Sequence, residues 1–123
     1  MSNYEIVSQV IKERRSIFPA SYIKKEIPVE VINQILETAN YAPTHKLTQP
    51  WRFTVIRKAG LTKLGEELGR LYKNLVSPQN FLQKKYDSFA EKTEQADCII
   101  AINMAVSGKI PEWEELAAVS CAV

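Results

Sequence analysis

Cysteine, glycine and histidine are all scarce here, at two, four and one residues respectively, and each shortage narrows the choices. Cys98 and Cys121 have no metal-ligand spacing and no neighbouring thiol. That excludes a zinc ribbon or a disulfide scaffold, and isolated thiols in apolar runs are expected to be small buried core residues. Long apolar runs are missing as well: CIIAINMAV falls far short of the ~20 residues that span a bilayer. The opening MSNYEIVSQVIKERRS has no apolar signal core, so a soluble protein of a reducing cytoplasm is expected. Charge of one sign is not in excess either. Sixteen basic residues against fourteen acidic give +2, too near balance for a nucleic-acid groove or an anionic membrane surface. No repeat, low-complexity tract or linker divides the 123 residues. Residues 1–123 therefore read as a single domain, long enough to bury roughly two-thirds of the surface that its unfolded chain exposes.

The charge that is present is unevenly placed. Residues 1–60 carry nine basic against five acidic side chains, and residues 61–123 carry seven against nine. An anionic ligand finds its partners in the first half.

Ser2 and Glu5 have the spacing of a capping box, and Ile6, Val7, Val10 and Ile11 follow on one face, which predicts a first helix ending near Lys12–Arg15. Pro28 suits the first turn of a second helix with the stripe Val31, Ile32, Ile35, Leu36 and Ala39, closed by Pro43. Trp51 to Arg57 alternates with period two, as a half-buried strand requires, and Ala59 and Gly60 end it. Leu61, Leu64, Leu68, Leu71 and Leu75 mark a long helix in which Gly65 and Gly69 each cost about 1 kcal/mol relative to alanine. Ser77 and Pro78 open another helix carrying Phe81, Leu82, Tyr86 and Phe89. Cys98 to Val106 reads as a strand covered on both faces in the middle of a sheet, broken by Gly108. Pro111 with Glu112, Glu114 and Glu115 starts a last helix whose acidic first turn complements the dipole. Its small and apolar residues run to Val123 with no polar cap, the pattern of a polypeptide cut in mid-element and incomplete at its C-terminus.

Two constellations carry possible chemistry. Arg14, Arg15 and Ser16 supply two guanidinium groups and a hydroxyl in a short span, the donors that a phosphate takes in charge-assisted hydrogen bonds. By themselves they fit a solvated helix end equally well. In the loop Ala42–Trp51, APTHKLTQPW, His45 and Gln49 both donate and accept, and both suit a planar heterocycle or a sugar chain. His45 also fits an ordinary exposed loop residue.

The order of a helix, RRS, a second helix ending in AP, a polar loop and QPW opening a strand resembles the nitroreductase family. APTHKLTQPW resembles the branch of small NAD(P)H nitroreductases whose loop reads APxHKxxQPW, and KIPEWEELAAVSCAV resembles the start of that branch's long helix, Trp113 included. The likeness runs from about Ile6 to Val123, and the chain corresponds to an N-terminal portion of such a protein. The resemblance implies an α+β fold, helices flanking a mostly antiparallel central sheet, in an intertwined homodimer with flavin at the interface. It implies that Arg14, Arg15 and Ser16 contact the phosphate and ribityl chain of FMN, and that His45 and Gln49 contact it from the loop. Lys46 is a weaker candidate, and Pro50 and Trp51 read as packing residues. The implied reaction passes hydride from NAD(P)H through FMN to a nitroaromatic or quinone-type acceptor. The cofactor carries that chemistry, so no side chain is nominated as catalytic. No Gly-rich GxGxxG turn is present to hold a dinucleotide separately. The alternatives are a flavin- or partner-binding fragment without turnover, and a helical protein that binds another phosphate ligand through Arg14 and Arg15.

Overall fold

In the computed structural model, which describes residues 1–123, helices α1 (Asn3–Glu13) and α2 (Val29–Ala39) precede strand β1 (Trp51–Arg57). Two further helices, α3 (Ala59–Leu75) and α4 (Gln83–Gln95), lead to strand β2 (Cys98–Met104), and α5 (Glu112–Ala122) follows. The strands pair antiparallel, from Trp51 opposite Met104 to Arg57 opposite Cys98. The architecture is the expected α+β, with a sheet of two strands.

Local chemistry sets most boundaries. The Ser2 hydroxyl accepts from the Glu5 N–H, and the Glu5 carboxylate accepts from the Ser2 N–H at 2.7 Å, so the capping box forms and α1 starts as read. Pro28 and Pro111 sit one residue earlier than expected, at the N-caps of α2 and α5 rather than in their first turns. Ala59 and Gly60 do not end a strand but begin α3. Lys58 turns the chain with φ near +49°, and its carbonyl accepts from Leu61 N–H. Ser77 and Pro78 open only one 3-10 turn, Pro78–Asn80, and α4 begins at Gln83. The turn is held instead by Tyr72, whose hydroxyl accepts from Leu82 N–H and whose ring packs tilted against Phe81 and Phe89.

The buried side of α3 is Leu61, Gly65, Gly69 and Tyr72, with Leu75 left exposed. The two glycines are therefore points of close approach to α4. A Cβ on Gly69 would meet the Tyr86 ring edge at 3.2 Å. On Gly65 it would overlap the Thr93 hydroxyl and lie 3.1 Å from Ala90 Cα.

The core sits where α5 crosses the strands: Trp51, Ala118 and Val119 are buried together, with Ala42, Phe53, Met104 and Ala122 packed around them. It is smaller than the chain length permits, at 12 buried residues. β2 is not covered on both faces, because a sheet of two strands packed on one helix leaves residues such as Ile102 exposed. The cysteines also depart from the core reading: Cys98 is half-buried and Cys121 is exposed. α1 buries none of its residues, and Ile6, Val7, Val10 and Ile11 all face solvent. No helix is long and apolar enough to cross a membrane.

Candidate functional site

The loop between α2 and β1 is fastened at both ends. Pro50 is fully buried, and the Trp51 indole N–H donates to Asn40 Oδ1 at 2.9 Å, joining the end of α2 to the start of β1. Inside the loop, Thr44 Oγ1 accepts from Gln49 N–H at 3.0 Å. The Arg52 guanidinium donates to the carbonyls of Gln49 and Trp51. Between these ties Lys46, Leu47 and Gln49 have φ of +52°, +51° and +41°. Left-handed backbone at residues other than glycine costs on the order of 1–2 kcal/mol each and persists only where the surroundings fix it. The loop is a stiff, strained turn, and it leaves the Gln49 side chain exposed and free of intramolecular hydrogen bonds.

His45 begins the 3-10 turn His45–Leu47. Its Nδ1 lies 2.6 Å from Glu114 Oε2 on the first turn of α5, which ties the loop to that helix. Beside this pair is a shallow cavity of about 400 Å³ lined by Pro43, Thr44, His45, Trp113, Ala117 and Cys121. The next residue, Glu115, is completely buried, and its carboxylate accepts from Ser107 N–H at 3.2 Å, which fixes the connection from β2 into α5. Sequence reading gave Glu114 and Glu115 only a role toward the helix dipole. Nothing in their spacing shows that one faces a loop histidine 69 positions earlier and the other a buried backbone N–H.

The second constellation follows α1. Arg14 caps that helix, its N–H donating to Val10 O. Arg15 folds back so that Nη1 donates to the carbonyls of Lys12 and Arg14. Ser16 is exposed, and neither arginine pairs with a carboxylate. No hydrogen bond or ion pair joins Arg14, Arg15 or Ser16 to His45 or Gln49 within one chain. The segment immediately after them, Ile17 and Ser21–Pro28, instead lines a larger open cavity of about 1010 Å³ with Glu94–Cys98.

A half-buried latch lies at one side of that cavity. Asp97 Oδ2 accepts from Ile27 N–H at 2.8 Å and from the Arg57 guanidinium at 2.9 Å, and Arg57 also donates to Ile27 O. The Ile27 N–H and then Arg57 hold the Asp97 carboxyl below its ordinary range. Burial pushes the neighbouring Cys98 thiol up.

Arg14, Ser16 and Gln49 keep their side-chain donors free, and the groups gathered in the two constellations suit a flavin mononucleotide in kind. Guanidinium groups and a hydroxyl match a phosphate, while an imidazole and a carboxamide on a rigid loop match the hydrogen-bonding edge of a heterocycle or its polyol.

The sequence model of the Nitroreductase family matches residues 11–123. YfhC of Bacillus subtilis (strain 168) is 40% identical over 53 residues, 43% of this chain and 26% of that protein. Nitroreductase NfnB of Mycolicibacterium smegmatis (strain ATCC 700084 / mc(2)155) is 31% identical over 64 residues, 52% of this chain and 26% of that protein. The matched segments thus span about a quarter of these relatives. A nitroreductase-like family protein from Bacillus cereus superimposes with a TM-score of 0.79 at 23% identity, over 99% of this chain and 62% of that one. An FMN-dependent nitroreductase from Clostridium difficile R20291 gives a TM-score of 0.58 at 22% identity, over 99% and 56% respectively.

Proposed function

The chain belongs to the nitroreductase family, and from that premise we propose that it is part of an FMN-dependent oxidoreductase that takes reducing equivalents from NAD(P)H. The observation that carries this reading is the loop Thr44–Pro50, held in a strained left-handed path that leaves the Gln49 side chain exposed and sets His45 beside a cavity. Arg14, Arg15 and Ser16 would hold the phosphate and ribityl chain, and His45 and Gln49 would orient the cofactor from the loop. Bound FMN would supply the redox chemistry, accepting hydride from a reduced nicotinamide and passing it to a nitroaromatic or quinone-type oxidant. The protein's share is binding and orientation. Guanidinium groups neutralise the phosphate, and the rigid loop fixes the ring side without the entropy loss of ordering a mobile segment.

The names of relatives point the same way: YfhC carries NAD(P)H in its name, and the Clostridium difficile protein is named as FMN-dependent. A homodimer with flavin at the interface fits the unpartnered apolar face of α1, which a second copy would remove from water. The two free cysteines suit a reducing cytoplasm.

Purified protein is expected to be yellow, to release FMN on denaturation, and to bleach anaerobically when NAD(P)H is added. Colourless protein that takes up no added FMN would overturn the proposal.

A further inference from the structure

On the reading that the Thr44–Pro50 loop faces FMN, we propose that Glu114 is a positioning residue: it locks His45 in the Nδ1–H tautomer, so that Nε2 meets the flavin as a hydrogen-bond acceptor. His45 Nδ1 stands 2.6 Å from Glu114 Oε2. An ionised carboxylate can only accept, so Nδ1 carries the proton, and a neutral ring then leaves Nε2 bare.

The direction of control follows from what holds each partner. Glu114 belongs to α5, whose first turn is closed by Glu114 N–H donating to Pro111 O at 3.0 Å. Its neighbour Glu115 is buried and accepts from Ser107 N–H, and one turn later Ala118 and Val119 pack on Trp51. His45 stands on a loop with more than half of its side chain exposed, against a quarter for Glu114. The anchored carboxylate orients the freer ring.

An acceptor at Nε2 selects a donor on the ligand. FMN offers two kinds, the ribityl hydroxyls and the imide N–H of the ring, whereas its ring carbonyls would be repelled. His45 would therefore accept from a hydroxyl or from the imide N–H, whereas a lysine or arginine in its place could only donate.

His45 is the sole histidine, so a ¹⁵N-labelled sample gives one pair of imidazole nitrogen signals, and their couplings to the two ring C–H protons tell Nδ1 from Nε2. At the alkaline end of a pH titration the wild type should show a protonated Nδ1 and an unprotonated Nε2. Glu114→Ala should shift the ring toward Nε2–H and weaken FMN binding by up to about tenfold. Glu114→Gln, which keeps an acceptor oxygen, should restore both, and unchanged backbone amide spectra would verify the fold of each variant. FMN should move the Nε2 signal, and lumiflavin, which has no ribityl chain, should move it only if the imide N–H is the donor. A wild-type ring already in the Nε2–H form, or one that ignores Glu114→Ala, would overturn the role of Glu114. FMN that binds with Nε2 unmoved would overturn the acceptor role. Failure of FMN to bind at all, with the tautomer as stated, would strike the flavin reading instead.

Discussion

Gly65→Ala sets two effects of opposite sign against each other. In an isolated helix, alanine should gain about 1 kcal/mol over glycine. In this fold the new methyl points into α4, overlapping the Thr93 hydroxyl and lying 3.1 Å from Ala90 Cα. Neither neighbour yields easily. Thr93 is 3% exposed and its hydroxyl is held by the carbonyls of Phe89 and Ala90, while the Ala90 contact is with backbone. Relieving the overlap means moving one helix against the other, and overpacking of this kind costs about 1–3 kcal/mol. The clash wins by about 1 kcal/mol at the middle of that range, roughly 4 °C in Tm for a chain of this size. Thermal and urea unfolding followed by circular dichroism measure it directly. Gly69→Ala is the internal control, because its methyl meets only the edge of the Tyr86 ring and should be close to neutral. Combining Gly65→Ala with Thr93→Ala should cost less than the sum of the single changes, since the hydroxyl overlap is gone. A Gly65→Ala protein that is more stable than the wild type would refute the α3–α4 packing.

Asp97 should make part of the stability acid-sensitive. Its folded-state pKa is lowered, by Ile27 N–H and then by Arg57, so its contribution is complete above the unfolded value of about 3.9. That contribution is lost as pH falls through the folded value. Asp97→Asn should therefore be less stable than the wild type at pH 7, with the difference shrinking below about pH 4; an equal difference at both pH values in urea titrations would contradict the latch. Trp51→Phe should cost about 1–2 kcal/mol, because the buried indole loses both packed volume and its hydrogen bond to Asn40 Oδ1. An unchanged denaturation midpoint would show that this tie does not hold the loop.

Much of the frame was legible in the sequence because it is written in local patterns. The period-two alternation gave β1 its observed bounds, Trp51–Arg57. Ser2 and Glu5 gave the start of α1 through a hydrogen-bond exchange that needs no distant partner. What was missed depends on tertiary contact. Gly65 and Gly69 read as weak points, since the α4 surface they admit cannot be seen from α3 alone. Ala59 and Gly60 read as a strand end, since a left-handed Lys58 leaves no compositional mark. β2 read as a central strand because its residues are apolar on both faces, whereas one neighbouring strand and one helix cover only part of them. In the site, loop composition singled out His45 and Gln49, but not the backbone path that presents them, nor Glu114 and Arg52, which hold that path from other elements.

The central claim is that Arg14, with Arg15 and Ser16, binds the phosphate of the same flavin whose other end is met by His45 and Gln49. Equilibrium titration of FMN and of riboflavin, which lacks the phosphate, into wild type, Arg14→Ala and His45→Ala separates the two ends. Arg14→Ala should weaken FMN by about 1.5–3 kcal/mol and leave riboflavin nearly unchanged, whereas His45→Ala should weaken both alike. If Arg14→Ala leaves the preference for FMN over riboflavin intact, the phosphate lies elsewhere and the assignment of that cluster is wrong.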